Sequence, residues 1–291
     1  MNKIIIDTAC DLKQEVFEEY AQGSGIIVQK VPINLTLGDT VIKTDDASCV
    51  DSFLEIKSKT KQPALTAAIS PDEFVAAMEP GADGVESENI FVVTISSFLS
   101  STYNNALVAK DACMEKLTEK KNKFIHIFDS LSASVGQTVV SLKLIDLIKR
   151  KVCNSQLVDD VNAFINEHKV YFLLENYDSL VKSGRINPYV AKVASMLNIQ
   201  PICHNVNGKI EMADKARGSK KAMAKLVDLV TSRDVNFEER TLAISYVKCH
   251  DKAAELEAEI KKKVKFKDVL VYEANTLIAN FADVNGLVCA F

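Results

Sequence analysis

The sequence predicts an α/β protein built from two α/β domains, each with a mostly parallel or mixed sheet flanked by helices. Three observations carry this prediction. Short runs of β-branched and aromatic residues with little polar alternation recur along the chain, as expected of strands covered on both faces. The early runs are followed by polar turns and then by apolar residues at helical spacing. The pattern restarts near Asn154-Ser155, which divides the chain into domains at residues 1–155 and 156–291.

Taken in order, Lys3 to Asp7 reads as a buried strand, and Asp11 or Thr8 is placed to cap the helix carrying Leu12, Val16, Phe17 and Tyr20. An extended segment at Ile26 to Leu37 is broken by Pro32, and Ser48 to Lys57 and Pro71 to Met78 read as short helices opened by a capping residue or proline. Between these helices, Gln62 to Ser70 reads as an uncharged loop, apolar enough to face something. The central strand, Ile90 to Ile95, runs into the hydroxyl-rich Ser96 to Thr102 and then a helix marked by Tyr103, Ala106, Leu107, Cys113, Met114 and Leu117. A strand at Phe124 to Phe128, a turn at Asp129-Ser130 and a helix from about Val135 to Val152 complete the first half. Ligands of such open sheets lie beyond the carboxyl ends of the strands, which gathers Asp7, Thr66, Ser96 to Thr102, Asp129 and Ser130 on one edge.

The turn at Ser96 to Thr102 admits two readings. Unpaired N–H groups and the dipole at a helix start favour a carboxylate or phosphate bound by backbone N–H and hydroxyl groups. The same hydroxyls serve equally as N-caps, worth about 1 kcal/mol.

In the second half, a helix ending near His168 precedes a strand at Val170 to Leu174, and Gly184 ends a short helix before another at Pro188 to Leu197. Ile199 to Cys203 leads to Asn207-Gly208, a hairpin signal. Lys209, Lys215, Arg217, Lys220, Lys221 and Lys225 form a basic run placed mostly on a helix, either a solvated face or a docking patch for an acidic partner, phosphate or membrane surface. Strands at Thr241 to Val247 and Lys267 to Tyr272 surround a charged helix at Asp251 to Lys263, and Gly286 to Phe291 closes the chain as a strand.

Bulk properties narrow the function. With 47% apolar and 25% charged residues and a net charge of -4, the chain is globular in composition and lacks the charge of a nucleic-acid binder. No apolar run reaches the roughly 20 residues that span a bilayer, so a cytoplasmic location and at most transient membrane contact are expected. The seven cysteines and four histidines are scattered, without C-x-x-C or H-E-x-x-H spacing, so no disulfide framework, metal site or cofactor is expected. There is no G-x-S-x-G elbow and no phosphate-binding G-x-x-x-x-G-K-[ST] loop, which argues against hydrolase or kinase chemistry within the chain, although Ser97, Ser100 or Ser130 acting as a nucleophile is the rival enzymatic reading.

Together these fragments resemble the DegV family, in an order and spacing that run nearly end to end: Asp7-Thr8-Ala9-Cys10-Asp11-Leu12, the Thr66 loop, Ile95 to Tyr103, Phe128-Asp129-Ser130, Ser183-Gly184-Arg185-Ile186, Ile199-Gln200-Pro201-Ile202, Asn207-Gly208-Lys209 and Lys215-Ala216-Arg217. The resemblance implies a non-catalytic carrier of a long-chain fatty acid, held in an apolar tunnel between the domains with its carboxylate bound by hydroxyls. It implies presentation of that carboxylate to a separate kinase subunit that makes acyl phosphate from ATP. Thr66 corresponds to the threonine of the first loop and Ser100 to the serine of the second, with Ser97, Ser101, Thr102, Asp129 and Ser130 in the same ligand-binding loops. Arg185 and Arg217 correspond to the basic contacts with the kinase.

Four departures from the family pattern accompany these matches. Thr66-Ala67-Ala68-Ile69-Ser70 stands where Thr-Ser-Gln-Pro-Ser is usual, and Ser101 and Ser183 replace glycines. Phe281-Ala282-Asp283-Val284-Asn285 stands where the family has His-Thr-Gly-Pro-Gly, removing a histidine that supports the carboxylate. The loss of such a donor leaves open an alternative, a regulatory or interaction protein that retains the fold with weak or altered ligand binding.

Overall fold

The structure is a computed structural model that describes residues 1–45, 47–60, 62–80, 87–116 and 123–291. In the first half the elements are β1 (Asn2–Asp7), α1 (Gln14–Ala21), β2 (Ile26–Val31), β3 (Asn34–Leu37), β4 (Thr40–Ile42), α2 (Val50–Lys59), β5 (Ala64–Ala67), α3 (Pro71–Met78), β6 (Asn89–Thr94), α4 (Thr102–Lys116), β7 (Phe124–Asp129) and α5 (Val135–Lys149). The second half contains α6 (Asn154–Glu167), β8 (Val170–Leu173), α7 (Asp178–Lys182), α8 (Pro188–Ala194), β9 (Ile199–Val206), β10 (Lys209–Arg217), α9 (Ser219–Thr231), β11 (Thr241–Tyr246), α10 (His250–Lys261), β12 (Asp268–Glu273), α11 (Thr276–Ala282) and β13 (Leu287–Ala290). Leu117, expected to continue the helix that became α4, lies outside the described residues.

Strands β2, β1, β6 and β7 pair in that order, all parallel. Phe91, Val92 and Val93 of β6 are fully buried, as a central strand covered on both faces requires. Each such side chain contributes about 1.5–3 kcal/mol on leaving water. Helices α1, α5 and α6 cover one face of this sheet and α3 and α4 the other. The second half forms a six-stranded mixed sheet, β10-β9-β8-β13-β11-β12, in which only β11 and β12 run parallel.

Helix α5 joins the halves. It packs on β6 and also on β11 and β13, which is why twelve of its fifteen residues, polar Gln137, Thr138 and Ser141 included, are buried. A helix serving two sheets has no solvent face, so its amphipathic signal is weak. A polar knot reinforces the junction: the buried Asp11 carboxylate accepts bonds from Ser134 Oγ at 2.7 Å, Ser245 Oγ at 2.6 Å and Tyr272 OH at 3.1 Å.

Three expectations need correction. Asp11 and Thr8 do not cap α1, whose N-cap is Lys13 with no side-chain bond. Asp11 is instead consumed by the knot, and Thr8 Oγ1 accepts the Ile33 N–H at 2.9 Å. The segment at 62–70 is not all loop, because Ala64–Ala67 forms β5 and pairs antiparallel with β3 in a third sheet, β4-β3-β5. Its uncharged, short-side-chain sequence can offer its backbone groups to a neighbouring strand, and the partner lies far away in sequence. The basic run is divided: Lys209, Lys215 and Arg217 lie on β10, and Lys220, Lys221 and Lys225 on α9. The hairpin that begins this run does form, with Asn207 at φ 48° and Gly208 at φ 83°, both left-handed as a tight two-residue turn demands.

Candidate functional site

The pairing of β3 with β5 sets Leu35 opposite Thr66. Alternation along β5 then turns Thr66 inward and leaves Leu65 63% exposed. Ser100 arrives from the other side, in the turn between β6 and α4. That turn is held rigidly: Asp7 accepts the Ile95 N–H at 2.6 Å and the Ala9 N–H at 2.9 Å, and Asp129 accepts the Ser97 N–H at 3.1 Å and the Leu131 N–H at 3.0 Å. Burial raises the Asp7 carboxyl to about 6, the backbone bonds opposing the shift.

Thr66 and Ser100 line one cavity of about 100 Å³, together with Ile33, Ile95, Ala133, Leu277 and Arg185. A second cavity of about 100 Å³, lined by Leu131, Val170, Phe172 and Val288 among others, adjoins it. The two share Leu99, Ala133, Leu180, Ile210, Ile278 and Phe281 as a common wall. The walls draw on both halves of the chain and are almost wholly apolar. Polar side chains line each cavity at one part of its wall: Thr66, Ser100 and Arg185 in the first, and Ser132, Ser134, Asn205 and Lys209 in the second.

Arg185 occupies a position that sequence reasoning assigned to a partner surface. Its Nε donates to Leu99 O at 2.8 Å, its Nη2 approaches Thr66 Oγ1 at 3.4 Å, and its guanidinium carbon lies 5.2 Å from the centre of the Phe281 ring. The side chain therefore bridges the two hydroxyl-bearing segments and stacks on Phe281. Burial lowers its pKa, yet a guanidinium stays charged at any ordinary pH. A cation–π contact of this kind contributes about 0.5–2 kcal/mol. The signal that could have found this role is Phe281 itself, an aromatic that supplies a ring on which an arginine can lie.

Five further residues expected at the site, Ser97, Ser101, Thr102, Asp129 and Ser130, are not among the described residues lining either cavity. Ser97 and Asp129 bond one another, Ser130 Oγ donates to Ser132 O at 3.2 Å, Thr102 is fully buried and Ser101 is exposed. Ser100 is tied to the start of α4 and also borders the cavity: its Oγ accepts the Thr102 N–H at 3.3 Å. Arg217 is exposed at the end of β10.

The hairpin turn seals the wall. Ser96 Oγ donates to Gly208 O at 2.8 Å, and a Cβ at Gly208 would fall 2.7 Å from that Oγ, so only glycine permits this approach. Among the described residues there is no group of three or more His, Cys, Asp or Glu side chains suited to a metal, and no helix long and apolar enough to cross a membrane.

Comparison with known proteins agrees with this geometry. A DegV domain-containing protein of Streptococcus pyogenes serotype M1 is 29% identical over 294 residues, covering 99% of this chain and 98% of that protein. A DegV family protein of Ruminococcus gnavus, solved with vaccenic acid, superposes with a TM-score of 0.87 at 30% identity, covering 100% of this chain and 99% of that one. The Streptococcus pneumoniae Fatty Acid Kinase (Fak) B3 protein, solved loaded with linoleic acid, gives a TM-score of 0.85 at 26% identity, with coverage of 100% and 99%. The profile of the family described as "Uncharacterised protein, DegV family" matches residues 1–285, and the chain belongs to the DegV family.

Proposed function

We propose that this protein binds one long-chain fatty acid in a tunnel between lobes formed by residues 1–155 and 156–291, and presents its carboxylate to a partner kinase. The observation that carries the reading is the pair of adjoining, mostly apolar cavities, one of which is lined by the two hydroxyls of Thr66 and Ser100 together with the guanidinium of Arg185. Burial of an acyl chain contributes about 0.8 kcal/mol per CH₂ before entropy losses, so the tail supplies most of the affinity. The polar end then orients the head: two hydroxyls donate to the carboxylate and Arg185 neutralises it, a charge-assisted pairing stronger than a neutral one. Arg185 takes the place that the missing histidine would fill. The chain itself performs no chemistry in this reading, since holding a carboxylate requires neither a general base nor a metal.

The kinase partnership draws support from the likeness to the pneumococcal Fak B3 protein. Exposed Arg217 is the candidate contact, and Arg185, at the cavity mouth, is shared between ligand and partner. Ser97, Thr102 and Asp129 hold the turn that presents Ser100. Native mass spectrometry of the purified protein is expected to show a copurifying fatty acid. Addition of ATP and a fatty acid kinase catalytic subunit is expected to yield acyl phosphate only when both proteins are present. Failure of delipidated protein to take up any long-chain acid overturns the reading in favour of a fold-retaining regulatory protein.

A further inference from the structure

One row of residues crosses four strands of the mixed sheet. Tyr272 of β12 pairs with Ser245 of β11, Ser245 with Val288 of β13, and Val288 with Phe172 of β8. Directly paired residues share a face of their sheet, so these four side chains stand in line on one side. Phe172 and Val288 wall the inner cavity. Ser245 and Tyr272, the next two in the row, donate their hydroxyls to Asp11 at 2.6 Å and 3.1 Å.

The opposite wall of the inner cavity ends at the same carboxylate. Leu131, Ser132, Ala133 and Ser134 line it, and Ser134 Oγ donates to Asp11 Oδ2 at 2.7 Å while the Ser134 N–H donates to Ala9 O, also at 2.7 Å. This turn requires an external hold. Leu131 has φ 49° and Ser134 φ 54°, left-handed backbone that a residue with a Cβ keeps only where its surroundings impose it. Asp11 itself is not among the described residues lining either cavity, and it is buried.

We propose that Asp11 is a positioning residue for the acyl tail: by fixing Ser134 against the row of Tyr272, Ser245, Val288 and Phe172, it sets the width of the inner cavity and so selects for long chains. The inference rests on the acyl-cavity reading above and adds what reads the tail. Selection of this kind works through packing, because a gap of ~0.5–1 Å forfeits a quarter to a half of each dispersion contact along the chain. The headgroup end, built by Thr66, Ser100 and Arg185, is untouched by it.

Titration calorimetry of delipidated full-length protein with decanoate and hexadecanoate separates the two ends of the ligand. Both acids carry the same carboxylate and differ only in the six methylenes farthest from it. Asp11→Asn keeps the side-chain shape but offers one acceptor oxygen in place of two. It is expected to weaken hexadecanoate about tenfold and decanoate no more than about twofold, collapsing the preference for the longer chain. Tyr272→Phe removes a hydroxyl alone and is expected to shift the ratio of the two affinities the same way by about threefold, which keeps the test decisive where Asp11→Asn fails to fold. A role confined to stability lowers the Tm of both variants and leaves that ratio at its wild-type value, a result that overturns this inference alone. Equal weakening of both acids overturns it as well. No uptake of either acid by the wild-type protein overturns it together with the acyl-cavity reading.

Discussion

The two ends of the joined cavities are built in different ways. The inner end, around Val170, Phe172 and Val288, is walled on one side by strand side chains from the mixed sheet, buried because β8 and β13 are interior strands of that sheet, and on the other by Leu131 to Ser134. The outer end is made of segments that leave regular structure, the edge strand β5, the turn before α4 and the stretch after α7, brought together by Arg185. Apolar affinity needs only volume and the right side chains, whereas headgroup recognition needs donors at defined positions, and loops braced by a scaffold supply them. The bracing is visible in two strand-end carboxylates, Asp7 and Asp129, whose bonds go to backbone N–H groups of these turns.

The contrast can be broken most severely from the shared wall. Ile210→Lys places a charge where both cavities meet, and fatty-acid affinity is expected to fall more than about 100-fold in calorimetry, because an unpaired charge cannot be desolvated there. A smaller change attacks the outer end: Arg185→Gln removes the cation and is expected to weaken binding about 10- to 50-fold, and to reduce the salt dependence of affinity. Thr66→Ala and Ser100→Ala each delete one neutral donor, for an expected loss of about three- to tenfold apiece in the same assay.

The smallest effect on ligand binding is expected of Asp7→Asn, whose readout is pH. The Asp7 carboxyl stands at about 6 in the folded protein against an ordinary 3.8. Between these values the folded protein binds more protons than the unfolded chain, so this group's contribution to stability falls as pH rises from about 4 to about 6 and is level beyond. Thermal melts across that range are expected to show this slope in the wild type and a flatter one in Asp7→Asn. An unchanged slope would assign the pH dependence to Asp11, which burial also raises.

Local sequence patterns made much of this legible. The strands β1, β6 and β7 announced themselves because a parallel sheet covered on both faces must be apolar at nearly every position. The Asn207-Gly208 turn did so because left-handed backbone restricts the residue choice. The hydroxyls of Ser96 to Thr102 stood out as a cluster at a strand-to-helix turn, whereas Thr66 and Ser100 were singled out by the resemblance to the DegV family, and both line the cavity. The role of β5 was hidden, because its partner strand lies about thirty residues upstream and pairing leaves no mark in a four-residue segment.

By itself the sequence determined most of the elements, β5 and β10 excepted, their order and the chemical class of the polar groups, since these follow from side-chain period, backbone restriction and composition over short windows. Only the tertiary structure decided that Arg185 turns inward onto Phe281 and Thr66, that Asp11 ties the halves together, and that Lys57 and Lys182 line the same pocket. Each of these joins residues far apart along the chain, and no local pattern encodes which distant group a long or buried side chain will find once the two sheets close around α5.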